Sequence, residues 1–323
     1  MKKIIFVLLF VLCLGCVIVN TTNVKSSTPN VIYVNRVKPS QTDGNGSYSD
    51  PYYKFFSAID AAKNGDTIML QSNLTLSGPL KIEKSLKIMT ADLDMDGEPI
   101  NSIMSISRSD SFKSNLIEVN AGKTLTLENI TIDGKLSSNK SYDGANIYLR
   151  GVASNYAKLI INDNTIIQNG NRKNGGSAVL SSYGEVYMYG GEITKNYSNM
   201  GATALGIVQN TGARFYLYGG SIHHNQSASY AINAGSDLKK LVIGGQLEIK
   251  NNFKKDDTST LKNMYVDNID KIQLQEDFDG EIYISTPDEV KAGDAFNADE
   301  NIIEGTKYVL HLDDNPNLHL KVT

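Results

Sequence analysis

The segment "VYMYGGEITKN" spans residues 186–196, and "FYLYGGSIHHN" spans residues 215–225. Both alternate apolar and tyrosine residues, turn at a Gly-Gly pair, continue through a second short segment around an isoleucine, and end in asparagine. Alternation with a period of two places successive side chains on opposite faces of a β-strand. The near-identity of two neighbouring segments predicts that each is one copy of a repeated structural unit.

Weaker copies extend the repeat in both directions along the chain. They recur roughly every 30 residues, as in solenoid proteins, and a third short apolar segment follows several of them, such as "GSAVL" at residues 176–180. A unit of three short strands cannot bury its apolar face alone, whereas stacked units form one continuous core. The chain is therefore predicted to be all-β: a right-handed, single-stranded parallel β-helix in which each copy is one turn. The further copies are "LTLENITIDG" from residue 125, "LIINDNTIIQNG" from 159, "LVIGGQLEIKNN" from 241 and, more faintly, "IQLQEDFDG" from 272.

The aligned copies also predict which residues share a position in the second strand. Ile193 and Ile222 are assigned to its buried position, and the same alignment gives Ile166 and Leu247 for the neighbouring copies. These four side chains are expected to lie above one another in the core.

Asparagines end the second strand in successive copies. Their side chains can hydrogen-bond along a stack, and asparagine tolerates left-handed backbone at a turn. We expect a structural ladder with no catalytic role, formed by Asn169, Asn196, Asn225 and Asn251.

The region before the repeats combines a strand-like "VIYVN" at residues 31–35 with "DGNGSYSDPYYKFFSAIDAAKNGDTIML" at residues 43–70. This order of strand, glycine-rich loop, short helix and Gly-Asp-Thr-Ile turn resembles the N-terminal segment of the pectate-lyase-like β-helix superfamily. The resemblance implies a capping helix, expected over residues 57–63, that closes one end of the core. That superfamily includes lyases, hydrolases, depolymerases and non-catalytic surface proteins, so the resemblance implies a fold rather than one activity.

The sequence predicts four segments. Residues 1–25 read as a signal peptide because a short basic start precedes an apolar run. Residues 26–66 form the first strand and capping helix, and residues 67–284 form the β-helix. In residues 285–323, "KYVLHL" and "LHLKV" read as two strands of a C-terminal β cap. The protein is thus expected to be secreted or held at the cell surface.

Cys13 and Cys16, the cysteines of the chain, both lie in the predicted signal. The mature protein is therefore expected to lack disulfides. Leu14 and Gly15 directly before Cys16 resemble a lipoprotein cleavage site. Lipid attachment at Cys16 therefore stays open as an alternative to ordinary secretion.

Charge and motifs argue against two classes of partner. Lys and Arg total 31 against 35 Asp and Glu, and no basic block occurs, so nucleic acid is not an expected partner. The sequence also lacks a phosphate loop and a dinucleotide fingerprint, which argues against a nucleotide.

Four tyrosines fall at the outward positions of the quoted segments. Tyr187 is expected to stack on Tyr216, and Tyr189 on Tyr218, at the turn spacing of about 4.8 Å. Such a cluster predicts a flat apolar platform that binds a polysaccharide or cell-surface glycan, since sugar rings present C–H faces to aromatic surfaces. The alternative is that the stack only stabilises the sheet.

A second group of polar residues lies on the next strand of consecutive copies. Glu192, His223 and Glu248 together could supply a general acid and base. The alternative is a solvated polar surface.

A third candidate is the segment "DLDMDG" at residues 92–97, whose Asp92, Asp94 and Asp96 match the first half of a calcium-binding loop. Ile103 stands where the bidentate glutamate of the full loop belongs. A loose calcium site and an acidic loop without metal both remain open.

Three functions follow from these patterns. The first is an exported or cell-surface protein that binds carbohydrate or another surface ligand without catalysis. The second is a polysaccharide lyase or glycoside hydrolase that acts on an acidic polysaccharide. The third is a structural or adhesin scaffold. The calcium-binding acidic cluster of pectate lyases and the paired aspartates of polygalacturonases are not visible in this sequence.

Overall fold

The computed structural model describes residues 30–135, 143–267, 272–275, 277–285, 308–312 and 318–322. These residues form a parallel β-solenoid of about seven turns. Strands of one turn pair in parallel with the equivalent strands of the next, which produces three faces, here named A, B and C. The predicted all-β parallel β-helix is confirmed, while the predicted signal segment and both cysteines lie outside the described residues.

Face A is built from the first strand of each turn. In-register pairing puts Val186 against Phe215 and Met188 against Leu217, and all four side chains are fully buried. Their stacking forms the main part of the core. The strands of face A are Val31–Val34, Thr67–Leu70, Leu86–Thr90, Thr124–Glu128, Ala157–Ile161, Gly184–Met188, the first halves of Ala213–His223 and Leu238–Ile249, and Ile272–Leu274.

Face B follows after a sharp turn. Ile193 pairs with Ile222 as predicted, but its partner in the preceding turn is Ile167, not Ile166. The predicted equivalence of Leu247 is also wrong, because Ile222 pairs with Ile249. In both copies the turn between faces A and B is one residue longer than in the copies that start at residues 186 and 215. The assignment of Leu247 is wrong by two residues, because that alignment gave its copy a turn one residue shorter rather than longer. Face B comprises Leu74–Leu76, Ser105–Arg108, Ile130–Asp133, Thr165–Gln168, Glu192–Thr194, the ends of the two long strands, and the start of Glu281–Ser285.

Face C contains the third strand of each turn, in agreement with the recurrent short apolar segment. A narrow extra sheet lies between faces B and C, and it ends in an antiparallel pair. The strands of face C are Leu80–Ile82, Ile117–Asn120, Ile147–Arg150, Val179–Ser182, Leu205–Ile207, Ile232–Ala234, Met264–Val266 and the end of Glu281–Ser285. The strands of the extra sheet are Asn171–Arg172, Tyr197–Ser198, Gln226–Ser227, Phe253–Lys254 and Asp257–Leu261.

A ladder of buried asparagines runs through the turn after face B. The Nδ2 of Asn196 donates to Oδ1 of Asn225, and Nδ2 of Asn225 donates to Oδ1 of Asn252, each at 2.9 Å. Asn252 continues the ladder by donating to Oδ1 of Asn263 at 3.0 Å. All four residues are at most 3% exposed, so these amides satisfy polar groups that would otherwise be buried without partners.

Two predicted members of the ladder occupy a different position. Asn169 and Asn251 have φ angles of 55° and 53°, as do Lys195 and His224 at 55° and 53°. These four residues occupy the position directly before the ladder residue, where the backbone is left-handed. Asparagine is tolerated there because its short polar side chain permits that conformation. The prediction was right for Asn196 and Asn225 and wrong for Asn169 and Asn251.

Both ends of the coil are covered. At the N-terminal end lies the helix Phe55–Ala61, which buries Phe55, Ala58 and Ile59 against the core; it begins two residues earlier than predicted because Phe55 is one of its core contacts. At the other end, Tyr308–Leu312 and Leu318–Val322 pair antiparallel, and the latter also pairs with Glu281–Ser285. Covered ends leave fewer unpaired strand edges for association. No helix in the described part of the chain has the length and apolar character that a membrane span requires.

The ladder yields a stability prediction. Asn252→Ala should lower the free energy of unfolding by about 2 kcal/mol or more, because it removes the oxygen that accepts from the buried backbone N–H and the side-chain amide of Asn225 and leaves that N–H without its partner. Its neighbour provides the control: Asn251→Gly, at an exposed left-handed position, should change stability by less than about 0.5 kcal/mol. Guanidinium denaturation measures both variants, and equal losses would contradict the assignment of Asn252 to the ladder.

Candidate ligand-binding surface on face A

Four outward tyrosines of face A form a stack, here named the tyrosine stack: Tyr187, Tyr189, Tyr216 and Tyr218. The ring centroids of Tyr187 and Tyr216 are 4.4 Å apart with planes inclined by 3°. Those of Tyr189 and Tyr218 are 5.4 Å apart at 20°. The predicted pairing is confirmed, and its cause is the in-register alignment of strands Gly184–Met188 and Ala213–His223.

The stack does not form the flat platform that the sequence predicted. A centroid distance of 4.4 Å between parallel rings requires their faces to overlap, so ring edges rather than faces point to solvent. The outer faces of the Tyr187–Tyr216 pair are also covered, because Lys158 Nζ lies 5.0 Å from the Tyr187 centroid and Lys240 Nζ lies 5.6 Å from that of Tyr216. These two rings therefore serve mainly to stabilise the sheet.

Tyr189 differs from its neighbours. It is 51% exposed, and Tyr218 covers it from the following turn only. On the side of the preceding turn, the ring of Tyr189 borders a cleft of about 530 Å³. An aromatic side chain at the wall of a cleft is a common element of small-ligand sites.

Carboxylate and amide side chains line the rest of this acidic cleft. They come from the ends of face A strands in successive turns and from the turns that follow them. Sequence reasoning missed the cleft because its residues belong to different copies of the repeat. The lining residues are Met89, Asp92, Glu128, Asn129, Asn162, Asp163, Asn164 and Tyr189.

Glu128 is held in its charged form. Lys87 lies 2.9 Å from Glu128 Oε2, and Asn162 Nδ2 donates to the same oxygen at 3.0 Å. These interactions, the one with Lys87 first, lower the pKa of Glu128. The carboxylate therefore presents acceptor oxygens to the cleft at neutral pH.

A charged rim borders the opposite edge of the tyrosine stack. Glu185 lies 2.8 Å from Arg214 and 3.4 Å from Lys158, and Lys240 aligns with Arg214 in the next turn. Each of these residues directly precedes the first large buried residue of the face A strand in its copy. Alignment of the copies could therefore have identified the rim from the sequence, but the sequence analysis missed it. The rim carries more positive than negative charge.

Burial also affects the phenols themselves. It raises the pKa of Tyr187, with Glu185 as the next cause, and the pKa of Tyr218 as well. Tyr187 and Tyr218 are accordingly uncharged at physiological pH, and the charges around them come from the rim and the cleft.

The proposed catalytic group is only partly assembled on face B. Glu192 Oε2 lies 3.5 Å from His223 Nε2, so these two are brought together. Glu248 instead accepts from Lys250 Nζ at 3.0 Å, and Lys250 also binds Glu281 at 2.9 Å. Glu248 is thus engaged in an ion-pair cluster and acts on His223 only through its charge, which opposes the lowering of the pKa of His223.

His223 also contacts a second histidine. Its Nδ1 lies 2.6 Å from Nδ1 of His224 and 3.3 Å from Oγ1 of Thr194. One nitrogen of the histidine pair must accept while the other donates, so both rings cannot be fully protonated in this contact. Burial lowers the pKa of His223, against the opposing influence of Glu192.

The three aspartates proposed for calcium do not converge. Asp94 Oδ1 accepts the backbone N–H groups of Asp96 and Glu98, each at 2.9 Å, and thereby closes its own turn. Asp92 lines the acidic cleft instead. Across the described ranges, no group of three or more His, Cys, Asp or Glu is placed to hold a metal ion, so the structure gives no support to the calcium site.

Comparison of the chain with protein-family models, curated proteins and solved structures gives no match. The coil itself is compatible with many activities, because folds of this kind host both enzymes and non-catalytic proteins. The function must therefore be argued from the side chains of faces A and B.

The histidine pair generates a pH prediction. Because burial lowers the pKa of His223 in the folded protein, the unfolded chain binds this proton first as the pH falls below about 6.5. The stability that neutral His223 contributes is fully present above about pH 6.5 and is lost as the pH falls through the lower pKa of the folded state. His223→Gln should therefore reduce the fall in Tm between about pH 7 and about pH 5.

Thermal unfolding across this pH range measures the effect. The variant Glu192→Gln serves as comparison, because it removes the carboxylate that raises the pKa of His223 and should make the fall in Tm steeper. Identical pH profiles for the three proteins would show that partial burial does not lower the pKa of His223 in the folded protein.

Proposed function

We propose that this protein is an exported or cell-surface β-helix protein that binds carbohydrate, without covalent chemistry, in the acidic cleft beside Tyr189. The observation that carries the proposal is the exposed Tyr189, which borders a cleft whose other lining residues, apart from Met89, carry carboxylates or amides. A sugar ring has an apolar C–H face and a periphery of hydroxyl groups. An aromatic wall with surrounding acceptors and donors complements both.

Individual side chains match both the hydroxyl groups and the apolar C–H face of a sugar ring. Carboxylate oxygens of Asp163 and Glu128 would accept hydrogen bonds from sugar hydroxyls, and the amide of Asn164 can donate or accept. Tyr218 backs the ring of Tyr189 at 5.4 Å, which limits its rotation and reduces the entropy lost on binding. The site is therefore largely formed before a ligand arrives.

The N-terminal resemblance to the pectate-lyase-like superfamily is consistent with a glycan ligand. That superfamily includes non-catalytic surface proteins as well as enzymes, so the resemblance supports the coil and the ligand class rather than a reaction. Export, which the predicted signal at residues 1–25 favours, would bring the protein to extracellular glycans.

The first test removes the aromatic wall. Tyr189→Ala should weaken binding of the glycans recognised on an oligosaccharide array by about tenfold or more, because loss of a stacking contact worth about 1.4 kcal/mol changes affinity tenfold. Calorimetry with the best ligand of the array quantifies the loss.

Tyr48→Ala is the matched control. Tyr48 is also an exposed tyrosine, at 47%, but its ring packs edge-on against Tyr33 at the N-terminal end of the coil, with centroids 6.4 Å apart, and it does not line the acidic cleft. It should bind as the wild type does. Unchanged glycan affinity in the Tyr189 variant, or an equal loss of affinity in both variants, would contradict the proposal.

A polysaccharide lyase or hydrolase that acts on an acidic polysaccharide is the second candidate, favoured by the 3.5 Å contact between Glu192 and His223. A neutral imidazole beside a carboxylate can act as a general base.

Incubation with pectin, alginate and glycosaminoglycans should then release unsaturated products or new reducing ends, and Glu192→Gln should reduce that rate at least about 100-fold. Full activity of the variant would eliminate this assignment, and absence of both binding and turnover would leave the scaffold function.

A further inference from the structure

The acidic cleft has a distinct charge. Asp92, Glu128 and Asp163 line it, and Lys87, the cation nearest to them by ion pairing, is engaged with Glu128 at 2.9 Å. Asp163 is exposed, and its carboxylate packs closely against Gly190 of the next turn, where a Cβ would lie 2.0 Å from Asp163 Oδ1. The space beside Tyr189 is therefore surrounded by net negative charge.

Apart from Lys87, which is paired with Glu128, the cations of face A that surround the tyrosine stack lie at the rim. Lys158 lies in strand Ala157–Ile161, four residues before Asn162 of the cleft, and four residues of strand at about 3.3 Å each separate their Cα atoms by about 13 Å. At physiological ionic strength the screening length is about 8 Å. Lys158 and Arg214 are also engaged with Glu185, so the rim gives the cleft little positive potential.

Charge complementarity therefore selects among glycans. A uronate or sulfate group seated beside one of these carboxylates would be repelled by it, and more strongly near a protein surface than in bulk water, because the effective dielectric constant is lower there. Hydroxyl groups would instead donate to the same oxygens. Acceptor-rich walls favour a ligand with many donors and no negative charge.

We infer that the cleft beside Tyr189 binds uncharged, hydroxyl-rich polysaccharides and discriminates against polyuronates and sulfated glycans. This inference rests on the proposed function and specifies its ligand class. It also separates the cleft from the second candidate function, which requires an acidic polysaccharide on face B.

The test compares two kinds of oligosaccharide on the full-length protein by calorimetry. Uncharged probes are β-glucan, xylan, mannan and chitin oligosaccharides, and acidic probes are oligogalacturonate and heparin oligosaccharides. The wild type should bind at least one uncharged probe at least about tenfold more tightly than either acidic probe, a ratio that corresponds to about 1.4 kcal/mol. Tighter binding of an acidic probe would overturn the inference.

A charge-reversal variant sharpens the comparison. Asp163→Lys should raise the affinity for oligogalacturonate at least about tenfold and lower that for the uncharged probe, because it replaces an acceptor with a cation. Asp60→Lys makes the same charge change on the exposed side of the capping helix and should leave both affinities unchanged. Equal effects of the two variants would show that long-range charge, rather than the cleft, sets the preference and would overturn the inference.

The Tyr189→Ala variant distinguishes this inference from the proposed function. If it weakens binding of whichever glycan is preferred, carbohydrate binding at the cleft stands even where the charge preference is reversed. If it leaves binding unchanged, the proposed function fails and the inference fails with it. No binding of any probe would overturn both.

Discussion

The structure depends on the in-register parallel pairing of each turn with the turns on either side. Tyr187 opposite Tyr216 and Val186 opposite Phe215 are consequences of one alignment, in which backbone hydrogen bonds fix the spacing between turns at about 4.8 Å. Inside the coil this spacing lets apolar side chains stack into a core without voids. It also brings the amides of Asn196 and Asn225 to hydrogen-bonding distance, so that a polar turn can be buried.

The same spacing limits what the outside of the coil can bind. Aromatic residues at equivalent outward positions stack face to face, so each ring covers one face of its neighbour. Lysines of the adjoining turns cover the outer faces of the pair. An aromatic face becomes available to a ligand only where the column of rings ends. The column of Tyr189 and Tyr218 ends at Tyr189, where the preceding turn supplies Asn162 and Asp163 in place of another ring. The candidate site is thus a consequence of where a repeat breaks.

Sequence periodicity predicts the parts of this molecule that lie within strands and fails at its turns. The period of two fixes the side on which each strand residue lies, so the pairing of Tyr187 with Tyr216 could be predicted. It does not fix the number of residues in a turn, and for this reason Asn251 was placed in the ladder position that Asn252 occupies. The acidic cleft is formed by turn residues of several copies, such as Asp163, whose convergence depends on three-dimensional stacking that no single copy encodes.

Cysteine cross-linking tests the stacking of turns most directly. In a Cys13→Ser, Cys16→Ser background, Tyr187→Cys with Tyr216→Cys joins neighbouring turns, whose Cα spacing suits a disulfide. Ile160→Cys with Tyr216→Cys instead spans two turns, about 10 Å, which is too far. Mild oxidation should form an intramolecular disulfide, seen by mass spectrometry, in the first pair only. Bridging of both pairs alike, or failure of the first pair to bridge, would contradict the columns on which both the core and the cleft depend.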